Sequence, residues 1–199
     1  RSLRAKRAPT ILFQEIPEGL TNNQKSKDLL SSFSASSVAK LITLIEFEAV
    51  ASIKPYEFLG QKWSSKKNQA PNLSRYIQHW NKLVHWVSFS ILQPLKVVDR
   101  VALIVKWVEI ADFFRQWNNY SSLTAVVAAL CGNSIYRLRN TFARVPDKTM
   151  EQLEAFKTLM ASTGSYRNYR AAMSPLKFPC IPYIGVLLRD LTYIEDGNP

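Results

Sequence analysis

The stretch Arg100-Val101-Ala102-Leu103-Ile104-Val105-Lys106-Trp107-Val108-Glu109-Ile110-Ala111-Asp112-Phe113-Phe114-Arg115-Gln116-Trp117 decides the fold. Wound at the helical period, Lys106, Glu109, Asp112 and Gln116 form one narrow polar seam, and apolar side chains cover the rest. A helix apolar nearly all round belongs in the middle of a helical domain, where neighbours cover it on every side. The residues that follow extend the pattern. Asn118-Asn119-Tyr120 reads as a turn, and Ser121 or Ser122 then starts a second nearly all-apolar helix, Leu123 to Leu130.

Working outward, the same period recurs. Val38, Leu41, Ile42, Ile45 and Ala49 mark a helix that Ser34 or Ser36 caps and Lys54-Pro55 ends. Pro55 is placed to open a short helix from Tyr56 to Trp63, followed by a basic loop, Ser64 to Pro71. Ile77, Trp80, Leu83, Val84 and Val87 stripe a helix from Leu73 to Leu92, which Pro94 breaks. Past Gly132-Asn133 come a short helix from Ile135 to Thr141 and a longer one, Met150 to Ser162, with Thr149 and Gln152 as its capping box. Gly164 stops that helix. A further one, Ser165 to Met173, interleaves Tyr166 and Tyr169 with Arg167 and Arg170. Pro179 and Pro182 precede the last, Tyr183 to Asp196. No segment alternates convincingly with a period of two, and Thr10 to Phe13 reads equally as a strand or as a segment packed on the body. The expected fold is all-α, an irregular multi-helix domain over residues 35–199, with residues 1–34 as an N-terminal extension or linker.

Composition bounds the function. A chain of 199 residues, 47% apolar, is long enough for one domain with a full core. The net charge of +11 permits an acidic partner, but it is spread out. Only Arg1-Arg4-Lys6-Arg7 and Lys62-Lys66-Lys67 cluster, without the basic and aromatic signature of a nucleic-acid module, so no nucleic-acid partner is expected. Cys131 and Cys180 sit in apolar or proline-rich surroundings with no metal-ligand spacing, and read as reduced, buried thiols of a cytoplasmic protein. There is no apolar leader after the basic start. The longest uncharged stretch has an apolar centre, Leu123 to Cys131, too short to span a bilayer.

The search for bond-making chemistry returns little. His79 and His85 lie six apart on one helix, not at the spacing of a metal pair, and read as helix-face histidines. Gly60, Gly132 and Gly185 stand alone, so no phosphate-cradling loop is formed. Glu46 and Glu48, two apart on a helix, point away from each other. Neither cofactor nor metal is expected. What remains are polar and aromatic clusters at the helix breaks: Asn118-Asn119-Tyr120, Asn133 to Arg137, Ser165 to Tyr169, and the Pro-Tyr-Ile-Gly start of the last helix. Each is explicable as turn chemistry. Together they suit a protein-binding face, where Tyr and Arg are over-represented.

The same clusters carry a resemblance. Leu41 to Glu48 with Ile53-Lys54-Pro55-Tyr56-Glu57-Phe58-Leu59-Gly60-Gln61-Lys62-Trp63 make one block, and Asn118 to Leu130 with Ile135 to Phe142 a second. Asn168-Tyr169-Arg170, Pro179 to Gly185, Asp190 to Ile194 and Gly197-Asn198-Pro199 make a third. In this order the blocks resemble the catalytic domain of Ras-family guanine-nucleotide exchange factors, the Son of sevenless type. The resemblance implies a domain that binds a Ras-like small GTPase, of Ras or Rap type, and releases its nucleotide without covalent chemistry. It implies a helical hairpin that levers switch I away and perturbs the magnesium and phosphate site. Nucleotide held at picomolar strength is worth about 16 kcal/mol, so the exchanger works by stabilising the nucleotide-free GTPase.

Residue by residue, the helix from Tyr183 to Asp196 resembles the first arm of that hairpin. Tyr183 matches an aromatic anchor for switch II, and Arg189 and Thr192 fall on the face turned to the GTPase. Thr192 stands where Son of sevenless has a leucine aimed at the magnesium site, and Asp196 where it has a glutamate, one methylene longer. Cys131, Asn133, Tyr136 and Tyr166 match the rim on switch II, as do Gln78 and Asn81 on the helix from Leu73. Core packing is the plainer reading of Tyr136 and Tyr183, and a solvated helix face that of Gln78 and Asn81. The chain closes at Pro199 before any returning arm, so the apolar face Ile184, Val186, Leu187 and Leu191 is expected to stand uncovered. A docking module without exchange activity is the second reading, and a basic nucleic-acid or membrane-surface protein the third. In the leading reading the domain works in the cytoplasm at the inner membrane face, recruited by other parts of its protein.

Overall fold

The computed structural model of the chain describes residues 30, 32–64, 69–176 and 179–198. The expectations for residues 1–29, and for Lys66 and Lys67, lie outside the described residues. The described residues form an all-α fold. Nine α-helices follow in order: α1 Ala35–Ser52, α2 Pro71–Leu92, α3 Val97–Gln116, α4 Tyr120–Cys131, α5 Asn133–Tyr136, α6 Arg139–Phe142, α7 Asp147–Met160, α8 Thr163–Met173 and α9 Ile184–Gly197. Two 3-10 turns, Pro55–Phe58 and Lys62–Ser64, link α1 to α2.

The central helices behave as their composition dictates. On α3, Ile104, Trp107, Val108, Ile110, Ala111 and Phe114 are buried, while Val98 and Glu109 face out. The deeper helix is α4, where Tyr120 through Val127 are all buried. It packs against both α2 and α3, and α1 lies along α3. Ser34 caps α1, its hydroxyl accepting from the Ser37 N–H at 3.1 Å. The cap of α4 is Asn119 rather than a serine, since its side-chain oxygen takes the Ser122 N–H at 3.0 Å. Ser121 and Ser122 are thereby freed for another role. The capping box expected at Thr149 does not form, because α7 starts three residues earlier, with Pro146 at its N-cap. The helices expected over Tyr56 to Trp63 and Ile135 to Thr141 are each split into two short turns.

A buried polar lattice ties the three main layers together. The Glu46 carboxylate of α1, fully buried, accepts from Ser121 Oγ at 2.6 Å and from Ser122 Oγ at 3.3 Å. Ser121 Oγ also bonds the Tyr76 hydroxyl of α2 at 2.5 Å, and Asn119 Nδ2 donates to Thr43 of α1 at 3.1 Å. His79 of α2 turns inward with Nε2 3.7 Å from Glu46, whereas His85 is exposed. Burial pushes the His79 pKa down; Glu46 opposes that shift and Lys82 adds to it.

The linker is fastened by a second carboxylate. Glu57, also fully buried, accepts from the N–H groups of Asn72 (2.8 Å) and Leu73 (3.0 Å), from the Asn72 amide (2.7 Å) and from the Lys54 N–H (3.2 Å). It therefore caps α2, whose own N-cap residue, Ala70, has no side chain to do so. Burial would raise the Glu57 pKa, but these four bonds outweigh it and hold the carboxyl below its ordinary value. A depressed folded pKa contributes stability above the unfolded value of about 4.3, lost as pH falls through the folded one. Glu57→Gln is expected to cost about 2–3 kcal/mol in urea unfolding at neutral pH, the worth of a charged acceptor facing several donors. It should also flatten the acid limb of the stability profile. An unchanged midpoint and acid limb would contradict this role.

Candidate functional site

The last helix is anchored at its root. Ile181 pairs with the turn before α4, its N–H donating to Asn118 O at 2.9 Å and its carbonyl accepting the Tyr120 N–H at 2.9 Å. Two residues on, the Tyr183 N–H donates to the buried Tyr169 hydroxyl at 3.0 Å. Ile184 then packs with Ala49 of α1 and with Leu73 and Tyr76 of α2, and Leu188, one turn on, lies against the same cluster. Val186 joins the main core. The expectation of an uncovered face is therefore corrected: Ile184 and Val186 are buried and Leu191 is half-buried, leaving Leu187, Tyr193 and Ile194 exposed. The i, i+4 pair Ile184 and Leu188 turns the apolar side of α9 onto the body.

An aromatic and cationic cluster forms around that root. The Tyr183 ring lies 5.9 Å from Trp80 of α2 and 6.2 Å from Tyr166 of α8. Burial, then the neighbouring Tyr166, push the Tyr183 hydroxyl pKa up, so it stays a neutral phenol. The Arg189 guanidinium stands 4.9 Å from the Tyr166 ring and 5.8 Å from Tyr193. Arg170 Nη2 holds both Asp190 oxygens, at 2.8 and 2.6 Å, and fixes α9 against α8. A cleft of about 190 Å³ opens beside Tyr183, walled by Trp80, Asn81, Gly185 and Leu188 among others.

Tyr166 reaches this position through an unusual backbone. Gly164, Ser165 and Tyr166 are all left-handed, with φ of 59°, 57° and 62°, so the start of α8 is a kink. A left-handed tyrosine costs on the order of 1–3 kcal/mol and persists only where its surroundings hold it. Here Arg170 Nε grips the Ser165 carbonyl at 2.8 Å, and the ring meets Tyr183 and Arg189.

The expected site residues divide into groups. Tyr183, Arg189, Tyr166 and Asn81 come together at the cluster. Gln78, exposed, shares α2 with Asn81, and α5 packs against that helix. Cys131, Asn133 and Tyr136 are all exposed, Tyr136 by 67%, so neither Tyr136 nor Cys131 is a core residue. Cys131 is thus no buried thiol; Cys180 is half-buried, and both are free. Thr192 is half-buried, its hydroxyl donating to its own helix at Leu188 O. Asp196 stands apart at the tip, accepting from Gln61 Nε2 at 3.0 Å, while Glu195 accepts the Gly60 N–H at 2.7 Å. Both linker residues are left-handed, with φ of 63° and 46°. The sequence assigned no site role to Trp80, Arg170, Asp190 or Gln61, and named Tyr169 only within the cluster Ser165 to Tyr169. The Tyr-x-x-Tyr-Arg pattern of residues 166–170 was the available signal; the partnership of Gln61 with a helix tip 135 positions away leaves none.

Comparison with known proteins identifies the family. The RasGEF domain profile matches residues 37–199. The chain belongs to the RasGEF domain family. It is 37% identical over 174 residues to Ras guanine nucleotide exchange factor W of Dictyostelium discoideum, covering 86% of this chain and 15% of that protein. It is 33% identical over 198 residues to Ras guanine nucleotide exchange factor J of the same organism, covering 98% of this chain and 24% of that protein. To the Ras-specific guanine nucleotide-releasing factor 2 of Danio rerio it is 34% identical over 174 residues, covering 86% and 14%. The chain thus spans less than a third of these relatives' length. No helix among its described residues is long and apolar enough to cross a membrane.

Of the described glycines of this RasGEF domain, Gly185 has the least room for a side chain. A Cβ there would stand 2.6 Å from the Tyr183 ring, which folds back over the first turn of α9. Gly185→Ala is expected to displace the ring and cost about 1–3 kcal/mol of stability by overpacking. Denaturant unfolding and the near-ultraviolet circular dichroism of the tyrosine and tryptophan cluster measure both effects. Spectra and midpoint identical to the parent would mean the ring is not seated there.

Proposed function

We propose that the chain promotes GDP release from a Ras-like small GTPase, of Ras or Rap type, with α9 as the element that acts on the switch regions. The observation that carries this reading is the root of α9, where Tyr183, Tyr166 and Arg189 meet in one half-buried cluster beside an open cleft. Its anchors are aromatic and guanidinium groups, the side chains that dominate protein-binding hot spots. Tyr183 serves as the anchor on switch II, with Arg189 beside it. Gln78, Asn81, Cys131, Asn133 and Tyr136 form the surrounding rim. Thr192 and Asp196 stand on the arm that approaches the magnesium and phosphate site, and the family likeness supports that assignment. The hairpin displaces switch I, and the exchanger and the nucleotide weaken each other by equal factors. The reaction takes place in the cytoplasm, at the membrane face where such GTPases reside.

One observation favours a docking module that does not exchange. The Asp196 carboxylate is engaged by Gln61 within the chain, and Thr192 offers no apolar bulk to the magnesium site.

The decisive experiment follows fluorescent GDP leaving a panel of Ras, Rap, Ral and Rho-type GTPases, using this chain and one continued past Pro199. Release from a Ras or Rap type is expected. Tyr183→Ala should lower the rate at least about thirty-fold, the worth of a hot-spot anchor of 2 kcal/mol or more. Binding with no release by either chain would favour the docking module. Normal exchange by the Tyr183 variant would remove Tyr183 from the mechanism.

A further inference from the structure

Away from the aromatic cluster, the turn between α2 and α3 carries the two most exposed large apolar side chains among the described residues. Leu95 is 94% exposed and Val98 69%. Both project into solvent, next to the exposed Lys96. That turn is joined to α6 by Arg100. Its Nη1 donates to the carbonyls of Pro94 (3.1 Å) and Leu95 (3.3 Å), and its Nε to Thr141 Oγ1 (3.2 Å). Arg139 and Arg144 flank Thr141, Arg144 donating its N–H to the Thr141 carbonyl at 3.0 Å, and Lys148 follows in the first turn of α7. The side chains of Lys96, Arg139, Arg144 and Lys148 are exposed and make no ion pair among the described residues.

Two carboxylates share the region, Asp99 and Asp147. Each lies in the first turn of its helix, α3 and α7 respectively. Glu151 follows one turn on in α7, and none of these three acids forms an ion pair with the four cations among the described residues. Two exposed aliphatic tips and four unpaired cations, on elements that Arg100 ties together, make an amphipathic edge on a chain of net charge +11. A rigid protein partner would need a concave socket for Leu95 and Val98. A bilayer yields to projecting apolar tips and supplies anionic headgroups around them.

We propose that this edge, Leu95 and Val98 with Lys96, Arg139, Arg144 and Lys148, is a peripheral docking surface for anionic phospholipid membranes. The domain itself then contributes to its placement on the leaflet that carries its GTPase, independently of the GTPase contact.

Vesicle co-sedimentation of the chain, without GTPase, tests this. Binding is expected to phosphatidylcholine vesicles carrying phosphatidylserine and not to pure phosphatidylcholine, and it should fall steeply with salt. Arg139→Gln with Arg144→Gln should weaken it about thirty-fold, at roughly 1 kcal/mol per basic residue. Leu95→Ser with Val98→Ser should weaken it several-fold and leave the remainder more salt-sensitive. The side chains of Leu95, Val98, Arg139 and Arg144 are all exposed, so circular dichroism and melting should match the parent. The basic start is controlled by Arg4→Gln, Lys6→Gln and Arg7→Gln together. Loss of binding in that variant but not in the edge variants would overturn the proposal. So would equal binding to pure phosphatidylcholine, or full displacement by soluble heparin of a chain whose edge variants bind vesicles normally.

Discussion

The structure depends on one buried carboxylate. Glu46 leaves water entirely, so its oxygens must be met by donors held within hydrogen-bond reach. Ser121 and Ser122 meet them only if α4 lies against α1 at one rotation, and Tyr76 joins Ser121 only if α2 lies across the same point. Apolar packing among α1, α2 and α4 is forgiving, because leucine and valine surfaces tolerate small slides. The carboxylate is not, since stranding it would cost about 3–5 kcal/mol. The lattice therefore selects one arrangement among many that bury similar apolar area. Asn119 extends that selection: it caps α4, bonds Thr43, and sits in the turn to which Ile181 is pinned. The root of α9 thus inherits its position from the lattice.

The helical layers were legible because burial of α3 and α4 is a matter of composition. A polar seam between Lys106 and Gln116 and an uncharged run through Ala129 leave little alternative to central helices. Glu46 was not legible. Paired in the chain with Glu48 it reads only as a carboxylate that points away from its neighbour, and its partners lie 75 and 76 positions away. The serines were misread for the same reason: as helix starters they look local, yet Asn119 takes the cap and the hydroxyls face a carboxylate. Glu57 repeats the lesson, since a residue 15 positions upstream caps α2.

The aromatic cluster was legible in part. Tyr166 and Tyr183 stood out as tyrosines at helix breaks, and Arg189 entered only through the family resemblance. Their mutual contact could not, because it needs the left-handed turn at 164–166, and a left-handed tyrosine is contrary to its own propensity. Local preference gives way there to the grip of Arg170 on Ser165 and to ring contacts with a helix that arrives later in the chain. The apolar face of α9 was misjudged in the opposite direction. Taken alone the helix is amphipathic and seems to need a partner, but α1 and α2 already supply one for Ile184 and Leu188.

These contacts divide α9 into two halves with different physics. At the root, Tyr183 is wedged against Trp80 and Tyr166, Arg189 is stacked, and Arg170 clamps Asp190. Side chains ordered before a partner arrives lose little entropy on binding, so the root is suited to supply affinity. At the tip, Glu195 and Asp196 are held to Gly60 and Gln61 by two solvent-exposed hydrogen bonds, which competition from water and screening keep weak. Contacts that weak yield to a stronger competitor. A charge-assisted contact with a partner could replace the Gln61 bond at small cost, whereas moving the root would disturb the aromatic cluster and the Ile181 tether together. A helix fixed at one end and lightly held at the other can commit to a partner before its tip changes hands, the order that the proposed exchange reading requires.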